Sequence, residues 1–294
     1  MNRRILTAAA ALLMCGIAAA PAFADMGPKD QLTVYVDNAP DEEYYLDLLY
    51  QPSDPDSESK PYDNLQSDSH DYDKTMIAAL CAYEDEGWYP AYVYGTDAPM
   101  RGSLVGSEEN GRMAHTFGYF GLPETYRIII VTKSGESFVS DTYTRASLQS
   151  AVTVDYAAKS VDVPSPAMQY VAQFLGTCIP TLIIEGLLLA LFGYLKKDIR
   201  RRNFITFLAV NVSTQIALSA TLGTMMIRSS VVGVFFFLIP AEIVVAAVEA
   251  VIYAAALRGY SKRRAVIYAV AANACSCAFG FLSLYKLAAF VYSL

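Results

Sequence analysis

The sequence predicts a multi-domain membrane protein. An extracellular β-rich domain, sandwich-like and of the α+β class, precedes a four-helix transmembrane bundle built from two tandem helical hairpins. Three observations predict this. The chain is 54% hydrophobic and 17% charged, whereas average soluble domains are about 45–50% apolar and about 25% charged. Residues 25–167 hold 25 acidic and 9 basic residues, but residues 168–294 hold 4 and 11. Four long apolar runs all follow residue 167.

The first 24 residues have the pattern of a secretory signal peptide. Arg3 and Arg4 form a basic start, residues 5–20 are apolar, and Ala22-Phe23-Ala24 fits the small-residue cleavage site. We therefore expect residue 25 onward to begin outside the cell. The acidic domain that follows has no basic patch to neutralise phosphates, which excludes nucleic acid as a partner.

Residues 25–163 are predicted to form the extracellular domain, and residues 164–167 a Pro-containing linker. Alternating apolar residues are typical of half-buried strands, and apolar residues at helical spacing predict one helix. The segments predicted as strands are 32–36, 44–50, 88–94, 114–120, 126–131, 137–143 and 150–156, and the predicted helix covers 74–86.

This domain has few residues of the types that catalyse reactions or bind metals and cofactors. His70 and His115 are the only histidines, and no nucleophile stands beside a base, so we predict no catalytic site, metal centre or cofactor. The acidic run Asp54–Glu58 resembles the start of a calcium loop, but it lacks the Gly and terminal Glu of an EF-hand. A solvated acidic loop is the main interpretation, and loose attraction of cations is the alternative.

The four apolar runs cover about 168–195, 203–227, 231–257 and 265–292. Each exceeds the roughly 20 residues that cross a bilayer. Basic residues concentrate in the first and third connections, Lys196–Arg202 and Arg258–Arg264, which the positive-inside rule places in the cytoplasm. The sequence therefore predicts a multi-pass protein of the cell membrane, with residues 25–167 and the C-terminus outside.

The two hairpins repeat one polar pattern, a Glu before the basic connection and an Asn-x-x-Thr or Asn-x-x-Ser after it. The residues are Glu185, Asn211 and Thr214 in the first hairpin and Glu249, Asn273 and Ser276 in the second. Their spacing from the basic connections puts the Glu and Asn residues on the order of 13–16 Å from the cytoplasmic ends, near the bilayer midplane. Gln215 and Glu242 extend this set outward. We call these eight residues the polar belt.

The polar belt has two interpretations. Ionisable side chains at this depth cost about 2.5–3.5 kcal/mol each on insertion and normally face the bundle interior. The belt is either an ion or proton site, or a packing network in which each protonated Glu donates to the Asn of its own hairpin.

The belt residues also carry a resemblance. Through Glu185, Asn211-x-x-Thr214, Gln215, Glu242, Glu249 and Asn273, residues 168–294 resemble a group of uncharacterised polytopic membrane proteins of Gram-positive bacteria. Those proteins join a secreted-side domain to helices with a Glu, an Asn-x-x-Thr and a second Glu. The resemblance implies no known activity.

The predicted cytoplasmic connections are too short for an output domain, so any signal needs a membrane-protein partner. We therefore expect a sensor, a receptor or an accessory subunit of a membrane complex, which engages an extracellular ligand or partner and contacts the lipid bilayer. The alternative is a small ion or solute transporter or channel that uses the belt carboxylates.

The predicted topology can be tested by cysteine labelling in a background without the five native cysteines. In intact cells, an impermeant reagent should label Ser293→Cys but should reach Lys197→Cys only after permeabilisation. Labelling of Lys197→Cys in intact cells would contradict the topology.

Overall fold

The computed structural model describes residues 29–294 apart from 53–63, 66–69, Glu84, Glu86 and Ser230. The predicted signal peptide and the acidic run Asp54–Glu58 lie outside the described residues. The described chain forms two compact units, Lys29–Pro166 and Ala167–Leu294. The first is β-rich and the second is helical, which confirms these parts of the predicted fold class; the extracellular position of the first unit stays a prediction.

Short strands and one helix, α1, make up the described part of the first unit. They are β1 Gln31–Asp37, β2 Tyr44–Tyr50, α1 Lys74–Cys81, β3 Tyr89–Pro90, β4 Ser107–Glu109, β5 Arg112–Gly118, β6 Thr125–Thr132, β7 Ser137–Val139, β8 Tyr143–Thr144, β9 Gln149–Asp155 and β10 Ser160–Asp162.

The strands form two sheets. In the first, of order β10-β9-β1-β5-β4, β1 runs parallel to β9 and the other pairs are antiparallel. The second has the order β3-β2-β6-β7, with β8 also paired to β6, and is antiparallel throughout. Side chains from both sheets enter one hydrophobic core, among them Leu32 and Phe117 from the first and Leu46 and Ile130 from the second. The unit is thus built as a sandwich.

Strand β2 is buried along its whole length because α1 adds a further layer. The Asp73 carboxylate caps α1 by accepting from the backbone N–H groups of Thr75 and Met76. The Asp73 N–H in turn donates to the Tyr45 hydroxyl, at 2.7 Å, which ties the start of the helix to β2. The helix ends at Cys81, earlier than the predicted residue 86.

The prediction of a strand over 88–94 is wrong beyond Pro90, because a buried carboxylate holds the next residues in a turn. Asp47 on β2 accepts from the backbone N–H groups of Tyr92 and Val93, both at 3.0 Å. Burial raises the pKa of Asp47 to about 7, against the opposing effect of these hydrogen bonds. The sequence of β2 conceals this role, since Asp47 interrupts an otherwise apolar strand as a solvent-facing residue would.

The hairpin of β4 and β5 was not predicted in full. Its turn consists of Asn110 and Gly111, with φ of 54° and 81°. Two successive positive φ values are the geometry of a type I′ turn, for which Asn-Gly is the favoured pair. The Asn-Gly dipeptide was therefore a usable signal for this hairpin.

The second unit contains four membrane-length helical segments. They are α2 Ala167–Leu191; α3 Arg200–Leu218, which continues through a π-helical turn Ser219–Gly223 into α4 Thr224–Arg228; α5 Val231–Ala256; and α6 Lys262–Tyr292. Each segment is long and apolar enough to cross a membrane, which confirms the prediction of four such helices; that they cross a membrane stays a prediction. Large apolar side chains such as Leu187, Val251 and Leu282 are exposed on the helices, as expected for lipid contact.

In the sandwich, His115 on β5 is completely buried. Its ring nitrogens contact the Ser103 carbonyl oxygen at 3.0 Å and the Tyr44 hydroxyl at 3.2 Å. Burial lowers the pKa of His115 from 6.5 to about 4. Between these two values the unfolded chain binds a proton that the folded chain does not, so this residue makes the fold less stable as the pH falls.

We expect segment 25–166 to unfold cooperatively when expressed alone, because it has its own core. The His115→Gln variant should lose less stability than the parent segment between pH 7.5 and 4.5, by up to roughly 3 kcal/mol. The shift at Asp47 is common to both proteins and cancels. Denaturant unfolding at the two pH values measures the difference; equal losses in the two proteins would contradict the assignment.

Candidate functional site

Most of the polar belt is brought together inside the helical unit. Glu185, Asn211, Gln215, Glu249, Asn273 and Ser276 are buried, and Thr214 and Glu242 are half-buried. Glu185 lies on α2, Thr214 on α3, Glu249 on α5 and Ser276 on α6. The belt therefore draws on both hairpins, α2–α3 and α5–α6.

Each Glu accepts a hydrogen bond from the hydroxyl of the other hairpin. Thr214 Oγ1 of the first hairpin donates to Glu249 Oε1 at 2.9 Å. Ser276 Oγ of the second hairpin donates to Glu185 Oε1 at 2.8 Å. We call these two contacts the exchanged hydrogen bonds. They link the hairpins reciprocally in the bundle interior.

The expected packing network differs from this arrangement. Within the second hairpin the amide is the donor, since Asn273 Nδ2 donates to Glu249 Oε2 at 2.7 Å. Glu185 accepts its hydrogen bond from the hydroxyl of Ser276, which lies on the other hairpin. The hydroxyl lies three residues, about one turn, after the Asn, and in both hairpins it reaches the Glu of the other hairpin.

The two Asn side chains are oriented by the same kind of hydrogen bond, to the carbonyl oxygen four residues earlier in the helix. Asn211 Nδ2 donates to the Phe207 carbonyl oxygen at 3.1 Å, and Asn273 Nδ2 donates to the Ala269 carbonyl oxygen at 3.0 Å. A carbonyl oxygen can only accept, so each amide nitrogen is fixed on that side. The repeat is imperfect beyond this, because the second acceptor of Asn211 is the Tyr253 hydroxyl, at 2.7 Å.

Two buried oxygens of the belt lack a donor. Glu185 and Asn211 are each 1% exposed, and within the described residues no group donates to Glu185 Oε2 or Asn211 Oδ1. The two side chains interact with each other. Buried acceptors without donors are rare in native proteins. Glu185 and Asn211 are therefore the part of the belt whose hydrogen bonds are incomplete.

A cavity of about 70 Å³ adjoins the belt on the side away from the basic connections. Its polar lining comprises Gln173, Gln215, Ser219, Glu242 and Ser276, among other residues. The π-helical turn Ser219–Gly223 forms part of its wall, and a Cβ at Gly223 would overlap the Gln173 side chain. The volume suits about two water molecules. Within the described part of the chain, no group of three or more His, Cys, Asp or Glu residues could hold a metal ion.

A second candidate site lies in the sandwich unit and was not predicted from sequence. Tyr119 has φ of 81°, which is strained for an aromatic residue. The Arg101 guanidinium lies 4.9 Å from the centre of its ring. The adjacent Phe120 is 73% exposed. We call Arg101, Tyr119 and Phe120 the aromatic tip.

The aromatic tip is held by a tight loop. Gly118 and Arg101 exchange two backbone hydrogen bonds, of 2.8 and 2.9 Å. A Cβ at Gly118 would overlap the Asp30 carbonyl, and a Cβ at Gly121 would overlap the Ala98 carbonyl. The sequence signal for the tip was therefore the pair of glycines on either side of two consecutive aromatic residues.

No family model, no curated protein and no solved structure matches this chain.

The exchanged hydrogen bonds should contribute measurably to stability. Thr214→Val and Ser276→Ala each remove one of them, and each should destabilise the full chain in detergent by roughly 0.6–2 kcal/mol. Reversible unfolding in mixed micelles measures this loss.

Matched controls lie seven residues further along each helical segment. The hydroxyls of Thr221 and Ser283 bond only to carbonyls of their own segments. Thr221→Val and Ser283→Ala should therefore change stability much less. Equal losses in the belt variants and the controls would show that the exchanged bonds carry no special stability.

Proposed function

We propose that the protein is a cell-surface receptor or an accessory subunit of a membrane complex. In this proposal the sandwich unit lies outside the cell and binds a protein partner through the aromatic tip. The helices cross the cell membrane and contact other membrane proteins. The observation that carries the proposal is Tyr119, a non-glycine residue held at φ of 81° beside the exposed Phe120.

Backbone strain supports a binding role at this position. A bulky residue at positive φ costs on the order of 1–3 kcal/mol, and such residues cluster at functional sites. Two aromatic rings and an arginine form the tip, and these residue types are enriched in the energetically dominant parts of protein interfaces. The large exposed fraction of Phe120 leaves its ring available to a partner.

The connection between the two units supports a signalling role. Only residues 163–166 separate β10 from α2, and Pro164 and Pro166 are two of these four. Proline fixes its own φ, so the connection is short and stiff. In the proposed receptor, a signal from the sandwich would pass through this connection to α2, the helix that carries Glu185.

The partner can be sought by crosslinking and purification of the tagged full chain from membranes of its own host. Phe120→Ala should reduce the recovery of a stoichiometric partner by about tenfold or more, since interface aromatics of this kind contribute about 2 kcal/mol or more. The control is Tyr35→Ala, another aromatic of the sandwich unit: like Tyr119 it lies under an arginine, Arg112, at 4.8 Å, but it is not among the described residues with positive φ. Equal recovery from all three proteins, or no partner at all, would overturn the proposal.

A second candidate function is a small ion or solute transporter or channel. The cavity favours it, because the cavity reaches Ser276, whose hydroxyl contacts Glu185. Reconstitution of the purified chain in liposomes tests it. Ion flux that is abolished by Glu185→Gln would support this function, and an absence of flux would leave the receptor or accessory role.

A further inference from the structure

We propose that Glu185 is a proton-binding site, in which the proton on Oε2 is donated to Asn211 Oδ1 and is exchanged with water through the adjoining cavity. This inference deepens the second candidate function. It concerns the binding of the proton and not its movement across the membrane, so it can hold where no transport is found.

The number of donors and acceptors around the Glu185 carboxyl is the first reason to place a proton on Oε2. Glu185 Oε1 is satisfied by Ser276, whereas Oε2 and the neighbouring Asn211 Oδ1 are two acceptors with no donor among the described residues. Rotation of the Asn211 amide gives no solution, because its nitrogen is fixed by the Phe207 carbonyl. One proton on Oε2 supplies one donor for one acceptor, which satisfies both oxygens.

The comparison with Glu249 is the second argument. Both of its carboxyl oxygens already have donors, Thr214 Oγ1 on Oε1 and Asn273 Nδ2 on Oε2. Hydrogen bonding therefore requires no proton on Glu249. The two Glu residues of the repeat have different environments, and only Glu185 lacks a donor on one oxygen.

The charges around Glu185 are the third argument. On α5, Glu242, Glu249 and Tyr253 interact with it electrostatically, and on α6 the Tyr268 hydroxyl donates to its backbone carbonyl at 3.2 Å. On α3 its neighbour is the neutral Asn211. The basic residues of this unit lie in the connections, in the terminal turns, or, for Lys286, ten residues beyond Ser276. No cationic side chain of this unit therefore lies at the depth of Glu185. A proton on Glu185 is the simplest way to reduce the negative charge of the neighbouring carboxyl groups.

The cavity supplies a route for the proton. It extends from the end of the bundle opposite the basic connections, where Val234 and Leu287 line it, to Ser276 beside Glu185. Glu242 and Gln215 lie along its wall. A proton shared between Glu185 and Asn211 would also link α2 to α3.

Infrared spectroscopy of the full chain in lipid nanodiscs tests the proposal through the C=O stretching band of a protonated carboxyl. We expect such a band near neutral pH, with one component lost in Glu185→Gln and kept in the matched variants Glu249→Gln and Glu242→Gln. Glu185→Gln should fold, because the Gln amide can donate to Asn211 and accept from Ser276. Glu185→Asp keeps a carboxyl and should retain the component at a shifted frequency.

The spectrum also tests the route and the identity of the bound ion. Gly280 lines the cavity and has open space at its Cβ position, so Gly280→Leu should fill the cavity and slow the band shift in D₂O several-fold. An unchanged spectrum in Glu185→Gln would overturn the proton site, and unchanged exchange in Gly280→Leu would overturn the route. Loss of the band on replacing choline by sodium at constant pH would identify a sodium site instead. None of these readouts depends on flux, so a failure of the transport function is separately recognisable.

Discussion

Hydrogen-bond satisfaction away from water is the constraint on which the helical unit depends. The hydrocarbon core of a bilayer offers polar groups no solvent partners, so each must find one within the protein. Here the exchanged hydrogen bonds meet this requirement across two hairpins, Thr214 to Glu249 and Ser276 to Glu185. Neither hairpin alone provides the hydroxyl that its own Glu uses. The same constraint makes the unmatched oxygens of Glu185 and Asn211 informative, because this is where the network stays open to a proton.

Much of the architecture could be predicted from sequence, because the signals are long or periodic. Four runs of apolar residues were sufficient to place the four helical segments, because each run is long enough to cross a bilayer. The repeated spacing of Glu, Asn and hydroxyl indicated that these side chains share one level. Alternation predicted β1, and short runs rich in apolar residues predicted β2, β6 and β9; their apolar residues enter the sandwich core. These features depend on residues that are close together in the sequence or follow a simple period.

Features that depend on pairing between distant residues could not be predicted in the same way. Asp47 holds a turn 45 residues further along, through Tyr92, and nothing near it in sequence indicates this. The exchanged hydrogen bond between Ser276 and Glu185 is a further example. The two residues are 91 positions apart in the sequence, and only the packing of α2 against α6 brings them together. Strain at Tyr119 is a property of backbone geometry, for which the flanking glycines are an indirect sign. By contrast, Asn110-Gly111 was a local signal that could have identified its hairpin.

The exchanged hydrogen bonds make the hairpin the unit of assembly. Each hairpin supplies one hydroxyl donor and one carboxyl acceptor to the other, the reciprocal pattern that is also found in isologous dimers. The correspondence is limited to the exchanged bonds, since the position four residues after Glu249 is Tyr253 and the equivalent position after Glu185 is Leu189. The covalent link between the halves is the short stretch from Arg228 to Val231, which contributes to neither exchanged bond. The exchanged hydrogen bonds therefore join the two hairpins independently of that link.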